Sequence, residues 1–260
     1  MPTTVTTFTR AIVRRPSDSA VHGLRAVDRG APDVNGLRRE HAAYVDMLTR
    51  LGLTVDVLDP LEAYPDSMFV EDPALVFPEA AILLRPGAAS RRDEAAALEP
   101  ALRSHFTTML SLGPGGAADG GDVLLTPEAV YIGLSARTDP AGAADLSGLL
   151  ASIGRHAVVV APPAGVLHLK SACSLVDEHT LLATRALAEA LTFSGLDIVM
   201  VPDGEESAAN ALCVNGTVLI AEGFPQTRAL LANRGYEVRA LALEQVAKLD
   251  AALSCMSLRW

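Results

Sequence analysis

The chain is poor in sulfur, with three cysteines in 260 residues, Cys173, Cys213 and Cys255, and no C-x-x-C pair. That spacing excludes a disulfide framework and a zinc knuckle, and predicts free thiols in a reducing compartment. The six histidines, His22, His41, His105, His156, His168 and His179, contain no i, i+4 pair that could grip a metal from one helix face. No metal is expected. Basic residues are also scarce: 21 Lys and Arg stand against 31 Asp and Glu, a net charge of −10, with no cationic run. A stripe that could follow a phosphate backbone is missing, so nucleic acid is not expected as a partner. No stretch reaches the roughly 18 continuous apolar residues of a membrane span. The N-terminal "MPTTVTTFTRAIVRRPSDSA" has no apolar core of signal-peptide length, so a soluble, cytoplasmic protein without a membrane partner is expected. Oligomeric state leaves no signature. The glycine-rich "GPGGAADGGD" lacks a following Lys-Ser/Thr pair and runs into a strand, which excludes a phosphate cradle and suggests close backbone approach instead.

What is present is apolar and periodic. Half of the residues are hydrophobic and 20% are charged, enough to bury a large core. No Gly/Ser-rich linker divides them, so a single domain over residues 1–260 is expected. One phrase recurs: apolar strand, apolar strand, amphipathic helix, strand. "FTRAIVRR" leads to a helix near Asp33 to Leu51 and to "TVDVLD"; "FVEDPALVF" and "AAILLRP" lead to a helix near Ser90 to His105. "GGDVLLT" and "AVYIGLS" precede a helix near Asp139 to Ile153 and the strand "HAVVVAP". "HLKSACSLVD" and "TLLATR" precede a short helix at Ala186 to Leu191 and "DIVMVP". "NALCVNG" and "TVLIAEG" precede a helix at Gln226 to Asn233, then "YEVRALA" and the closing "ALSCMSL". Five phrases give a period of about 50 residues, the size of one repeated supersecondary unit. An α/β ring of five units around a shared axis is predicted.

Charges inside such strands are costly unless paired. They are few: Asp66, Glu71 and Asp72 in "PDSMFVEDPALVF", Asp119 and Asp122 in "AADGGDVLL", His168 and Lys170 in "VLHLKSACSL", and Asp250 ahead of Cys255. Each precedes or interrupts the first strand of a phrase, so a ring would bring them together at one end of its axis.

The motifs "PDSMFVEDPALVF", "RPGAASRRDE", "DGGDVLL", "GLSARTD", "LHLKSACS" and "LSCMSL" occur in this order from Asp66 to Cys255. Together they resemble the dimethylarginine dimethylaminohydrolases, a branch of the guanidino-group-modifying penteins. The resemblance implies a five-bladed, pseudo-symmetric α/β propeller of ββαβ units. It implies hydrolysis of N-omega-methylated arginines to citrulline and a methylamine, with a small cationic amino acid as the substrate and no cofactor.

The chemistry explains the residue types. A guanidinium is planar, permanently charged and resonance-stabilised, so its carbon resists water. A strong nucleophile and carboxylates that hold the cation are required. By resemblance Cys255 is the nucleophile, His168 protonates the leaving amine and then activates water, and Asp119 orients His168. The resemblance places Asp72 against the guanidinium, Asp66 near the α-ammonium, and Arg85 and Arg137 on the α-carboxylate. Glu71 is given a supporting role, since strand alternation aims it away from Asp72. Arg91 and Arg92 read as a solvated helix start, Lys170 as the partner of a nearby acid, and Cys173 and Cys213 as buried small hydrophobes. Asp122 and Asp250 read as site residues or as strand-end hydrogen-bonders.

Related readings remain. Arginine and agmatine deiminases share the chemistry but usually have longer chains, and agmatine carries no α-carboxylate for Arg85 and Arg137 to read. A papain-like protease places Cys before His, the reverse of the order here. A non-catalytic arginine-binding pentein would need no thiol.

Overall fold

The structure is a computed structural model and describes residues 4–260. Its first unit comprises β1 (Arg10–Arg14), α1 (Val34–Arg50) and β2 (Thr54–Leu58). The second is β3 (Ala74–Val76), β4 (Ala81–Leu83), α2 (Glu94–Arg103) and β5 (Met109–Ser111). The third is β6 (Val123–Leu125), β7 (Val130–Gly133), α3 (Pro140–Ser152) and β8 (Ala157–Val160). The fourth is β9 (Cys173–Leu175), β10 (Thr180–Ala183), α4 (Arg185–Ala190) and β11 (Asp197–Met200). The fifth is β12 (Leu212–Val214), β13 (Thr217–Ala221), α5 (Pro225–Asn233) and β14 (Glu237–Leu241), followed by α6 (Glu244–Ala247) and β15 (Leu258–Arg259).

Each unit forms a three-stranded sheet whose middle strand runs antiparallel to the inner strand and parallel to the outer one. The parallel pair needs a crossover, and the helix supplies it. The first sheet lacks an inner strand of its own. β15 provides it, pairing antiparallel to β1 with Ala11 opposite Arg259 and Ile12 opposite Leu258. The five inner strands, β3, β6, β9, β12 and β15, surround an axial cavity of about 120 Å³.

Local sequence sets the helix ends. Asp33 caps α1 by accepting from the Gly36 amide at 2.8 Å, and Asp139 caps α3 by accepting from Gly142 at 2.7 Å with Pro140 at the first helical position. Along α1 the buried residues Leu37, His41, Tyr44 and Leu48 fall at helical spacing and face the core. Packing then joins neighbouring sheets: Ile12 and Leu258 of the first share a cluster with Val76, Leu83, Leu98 and Leu102 of the second. Each such side chain stabilises the fold by about 1.5–3 kcal/mol on burial.

The predicted helices all appear, with α2 beginning at Glu94, after a 3-10 turn at Ala89–Arg91. The strand expected across Phe69–Phe77 is shorter, because the Glu71 amide donates to the Cys255 carbonyl and Pro73 has no amide to offer. Residues 120–122, 169–171, 206–209 and 254–256 are 3-10 turns leading into β6, β9, β12 and β15. The polar residues at the start of each inner strand therefore sit on turns at the same end of the ring. No helix among the described residues is long and apolar enough to cross a membrane.

Candidate active site

That end holds a cavity of about 150 Å³ whose wall includes Asp66, Asp72, Arg91, Arg137, His168 and Cys255. Leu24, Arg25 and Ala26 cover one side. Their loop is tied down at two points: Asp66 accepts from the Leu24 amide at 2.9 Å, and Asp250 accepts from the Ala26 amide at 2.5 Å and from Arg29 at 2.9 Å.

His168 precedes the turn into β9, and its Nε2 donates to Asp119 Oδ2 at 3.1 Å. Asp119 is fully buried, and its other oxygen accepts from the Gly87 amide at 2.7 Å. Burial alone would discharge the imidazole. The nearby Asp72, the hydrogen bond to Asp119 and the charge of Asp122 outweigh it and raise the pKa to about 9. That shift favours the imidazolium at neutral pH. Gly121 makes room for this arrangement, since a Cβ there would lie 2.7 Å from His168 Nδ1 and 2.9 Å from Asp72 Oδ1.

Asp72 is buried, accepts from the Gly121 amide at 3.0 Å and pairs with Arg91. Burial pushes its carboxyl up, but Arg91 and His168 prevail and hold it below the usual carboxylate range. Asp66 behaves differently: burial raises its pKa despite Arg91. Asp72, Asp119 and His168 each bring a donor atom within 4.8 Å of the others, a spacing a cation could use. Arg91 and Gly121 already engage Asp72, and the Gly87 amide and His168 engage the two oxygens of Asp119, so the carboxylates are committed to donors within the site.

Cys255 lies on the turn before β15 and is partly exposed. Desolvation, then the charges of Glu71 and Asp72, push its thiol up to about 12. Cys173 and Cys213 are buried, as expected of structural thiols, and burial raises them to about 12 and about 11.

Two expectations for arginines are corrected. Arg85 is not among the cavity's lining residues; its Nη1 donates to the Gly116 carbonyl at 3.0 Å, and its backbone bridges Ala118. Arg91 is no solvated helix start. It is buried in the cavity wall, paired with Asp72 and Glu94, and it also donates to the Phe69 carbonyl at 2.9 Å. Arg137 does line the cavity. A Cβ at Gly87 would sit 2.3 Å from the Arg137 carbonyl oxygen, so "RPGA" holds the Arg137 loop by leaving a gap. Glu71 faces the axial cavity instead, bound to Lys170 Nζ at 2.5 Å and Ser254 Oγ at 2.9 Å. Lys170 thus has the acidic partner foreseen for it.

No family model matches the chain. It is 35% identical to the N(G),N(G)-dimethylarginine dimethylaminohydrolase of Pseudomonas aeruginosa over 254 residues, covering 97% of this chain and 100% of the relative. The chain belongs to the dimethylarginine dimethylaminohydrolase family. Solved dimethylarginine dimethylaminohydrolase structures share its fold. The P. aeruginosa enzyme, as a Cys-to-Ser mutant complexed with citrulline, matches with a TM-score of 0.94 and 34% identity, over 98% of this chain and 100% of that one. A His-to-Gly mutant captured as an adduct with S-methyl-L-thiocitrulline matches with a TM-score of 0.94 and 34% identity, over 97% and 100%. The five sheets are the five blades of the dimethylarginine dimethylaminohydrolase propeller, and the chain belongs among hydrolases of guanidino C–N bonds.

Proposed function

We propose that this chain, acting as one catalytic domain, hydrolyses N-omega-methylated arginines to citrulline and a methylamine. The observation that carries the reading is a single cavity holding a thiol, two acids suited to a cation, and an imidazolium hydrogen-bonded to a buried carboxylate. The names of the relatives add weight to the substrate class.

The substrate guanidinium enters beside Asp72, its α-ammonium faces Asp66, and its α-carboxylate meets Arg137, with Arg91 behind. Cation binding next to Cys255 favours loss of the thiol proton to solvent, because the positive charge offsets Asp72 and Glu71. The thiolate attacks the guanidinium carbon and forms a tetrahedral adduct. His168, charged before the reaction begins, protonates the departing dimethylamine, and the C–N bond breaks to leave a planar S-alkylthiouronium on Cys255. Neutral His168 then accepts a proton from water as that water adds to the same carbon. Collapse expels the Cys255 thiolate, the added hydroxyl gives up its remaining proton to solvent as the ureido carbonyl forms, and citrulline is released. Asp119 keeps the imidazole aligned and stabilises its charged form through both halves. A free thiol as nucleophile suits a reducing, cytoplasmic compartment.

The test is to incubate the protein separately with asymmetric dimethylarginine, monomethylarginine, arginine and agmatine, and to quantify the ureido product. Turnover of the methylated arginines is expected to dominate. Turnover confined to arginine or agmatine would reassign the substrate, and none with any of the four would leave a binding protein.

A further inference from the structure

Asp122 is fully buried, yet no cation pairs with it within the described residues. Its partners are neutral donors. Oδ2 accepts from Ser135 Oγ at 2.6 Å and from Thr138 Oγ1 at 2.7 Å; Oδ1 accepts from the Leu169 amide at 2.9 Å. Each donor leads directly to a residue of the site. Leu169 follows His168 in the chain. Ser135 Oγ accepts from the Arg137 amide at 2.9 Å, and Thr138 Oγ1 accepts from the Asp119 amide at 3.1 Å.

We infer that Asp122 is a positioning residue that fixes the acid–base pair and the carboxylate-reading arginine in one register, Thr138 serving the first and Ser135 the second. The inference rests on the proposed function. Its physical basis is that a carboxylate offers several acceptor sites and no donor, so a single ionised group can hold two hydroxyls and an amide at once. Both hydroxyls then have their protons committed to Asp122 and present lone pairs to the amides of Arg137 and Asp119. An asparagine would break this pattern, because its NH₂ must face either the Leu169 amide or the two hydroxyls, donor against donor. A carboxylate that merely secured the strand end would serve stability alone, and would not sort its effects between binding and chemistry.

The experiment measures kcat, KM and the melting midpoint of the full chain with dimethylarginine. Ser135→Ala should raise KM roughly 10-fold with kcat within about twofold, the size expected for one hydrogen bond next to a charged group. Thr138→Val should lower kcat roughly 10-fold at nearly constant KM, and should shift the pH dependence of kcat through His168. Asp122→Asn should do both. Ser135→Thr and Thr138→Ser keep the hydroxyl and should recover most of each loss, which separates positioning from packing. Equal effects of Ser135→Ala and Thr138→Val on the same parameter would overturn the inference. So would losses that track the melting midpoint and are not recovered by the hydroxyl-bearing replacements. An inactive parent chain would instead overturn the proposed function, and this inference would fall with it.

Discussion

His168 Nε2 and Asp119 Oδ2 meet at 3.1 Å where solvent barely reaches, and this contact helps to set the charge of the imidazole. Removing the carboxylate's charge should lower the His168 pKa from about 9. Asp119→Asn, followed by NMR titration of the imidazole, is expected to show the downward shift, and turnover should fall by about 100-fold or more. An unmoved titration would separate Asp119 from the chemistry.

The Cys255 thiol at about 12 predicts a dormant nucleophile in the ligand-free protein. Its alkylation by a neutral haloacetamide should accelerate about tenfold per pH unit, since the thiolate fraction does so below the pKa. No plateau is expected below about pH 10. Cys255→Ser should abolish both labelling and turnover, whereas Cys173→Ser and Cys213→Ser should retain most turnover. A plateau near neutrality, found by mass spectrometry of the labelled peptide, would mean that the thiol is activated without substrate.

Arg137 and Arg85 make a second comparison. Arg137→Ala removes a charge-assisted contact worth about 1.5–3 kcal/mol, so kcat/KM for dimethylarginine should drop roughly 10- to 150-fold. Agmatine, which lacks the carboxylate, should be little affected. Arg85→Ala should change the melting midpoint more than KM, because Arg85 holds the Gly116 carbonyl and not the cavity. Equal damage to both substrates from Arg137→Ala would remove the carboxylate reading.

His41 predicts an acid-sensitive fold. It is buried on α1, its Nε2 has no hydrogen-bond partner among the described residues, and desolvation, reinforced by Arg15, lowers its pKa from 6.5 to about 4. The neutral imidazole is favoured in the native state, so its contribution to stability is complete above pH 6.5 and is lost as the pH falls towards 4. His41→Leu should therefore lose less stability than the parent between pH 6.5 and pH 4, measured as melting midpoints across that window. Parallel curves would show that another group governs acid unfolding.

The repeated pattern of apolar strands and helices was legible because the inner and middle strands of the units and one face of their helices are buried. The convergence of Asp72, Asp119 and His168 was legible for a related reason: buried charge is costly enough to mark its own position, whereas Cys255 entered the site only through the family resemblance. Arg91 was not, because "SRRDE" before an apolar helix looks like a solvated helix start, and only the tertiary fold turns that side chain inward against Asp72. Arg85 misled in the opposite way. The resemblance placed it on the α-carboxylate, but its backbone bridges Ala118 and its side chain reaches the Gly116 carbonyl instead. Ser135 and Thr138 gave no signal, since short polar residues after a strand are ordinary turn formers and their role depends on a carboxylate more than a dozen positions away.

The first sheet borrows its inner strand from β15, and Cys255 sits on the turn just before it. During synthesis, four complete sheets and the cavity acids Asp66, Asp72 and Asp250 leave the ribosome before Cys255 does. On the proposed mechanism, a chain cut before Cys255 would lack the nucleophile together with the strand that completes the first sheet. The segment that seals the first sheet is thus the one that carries the Cys255 sulfur.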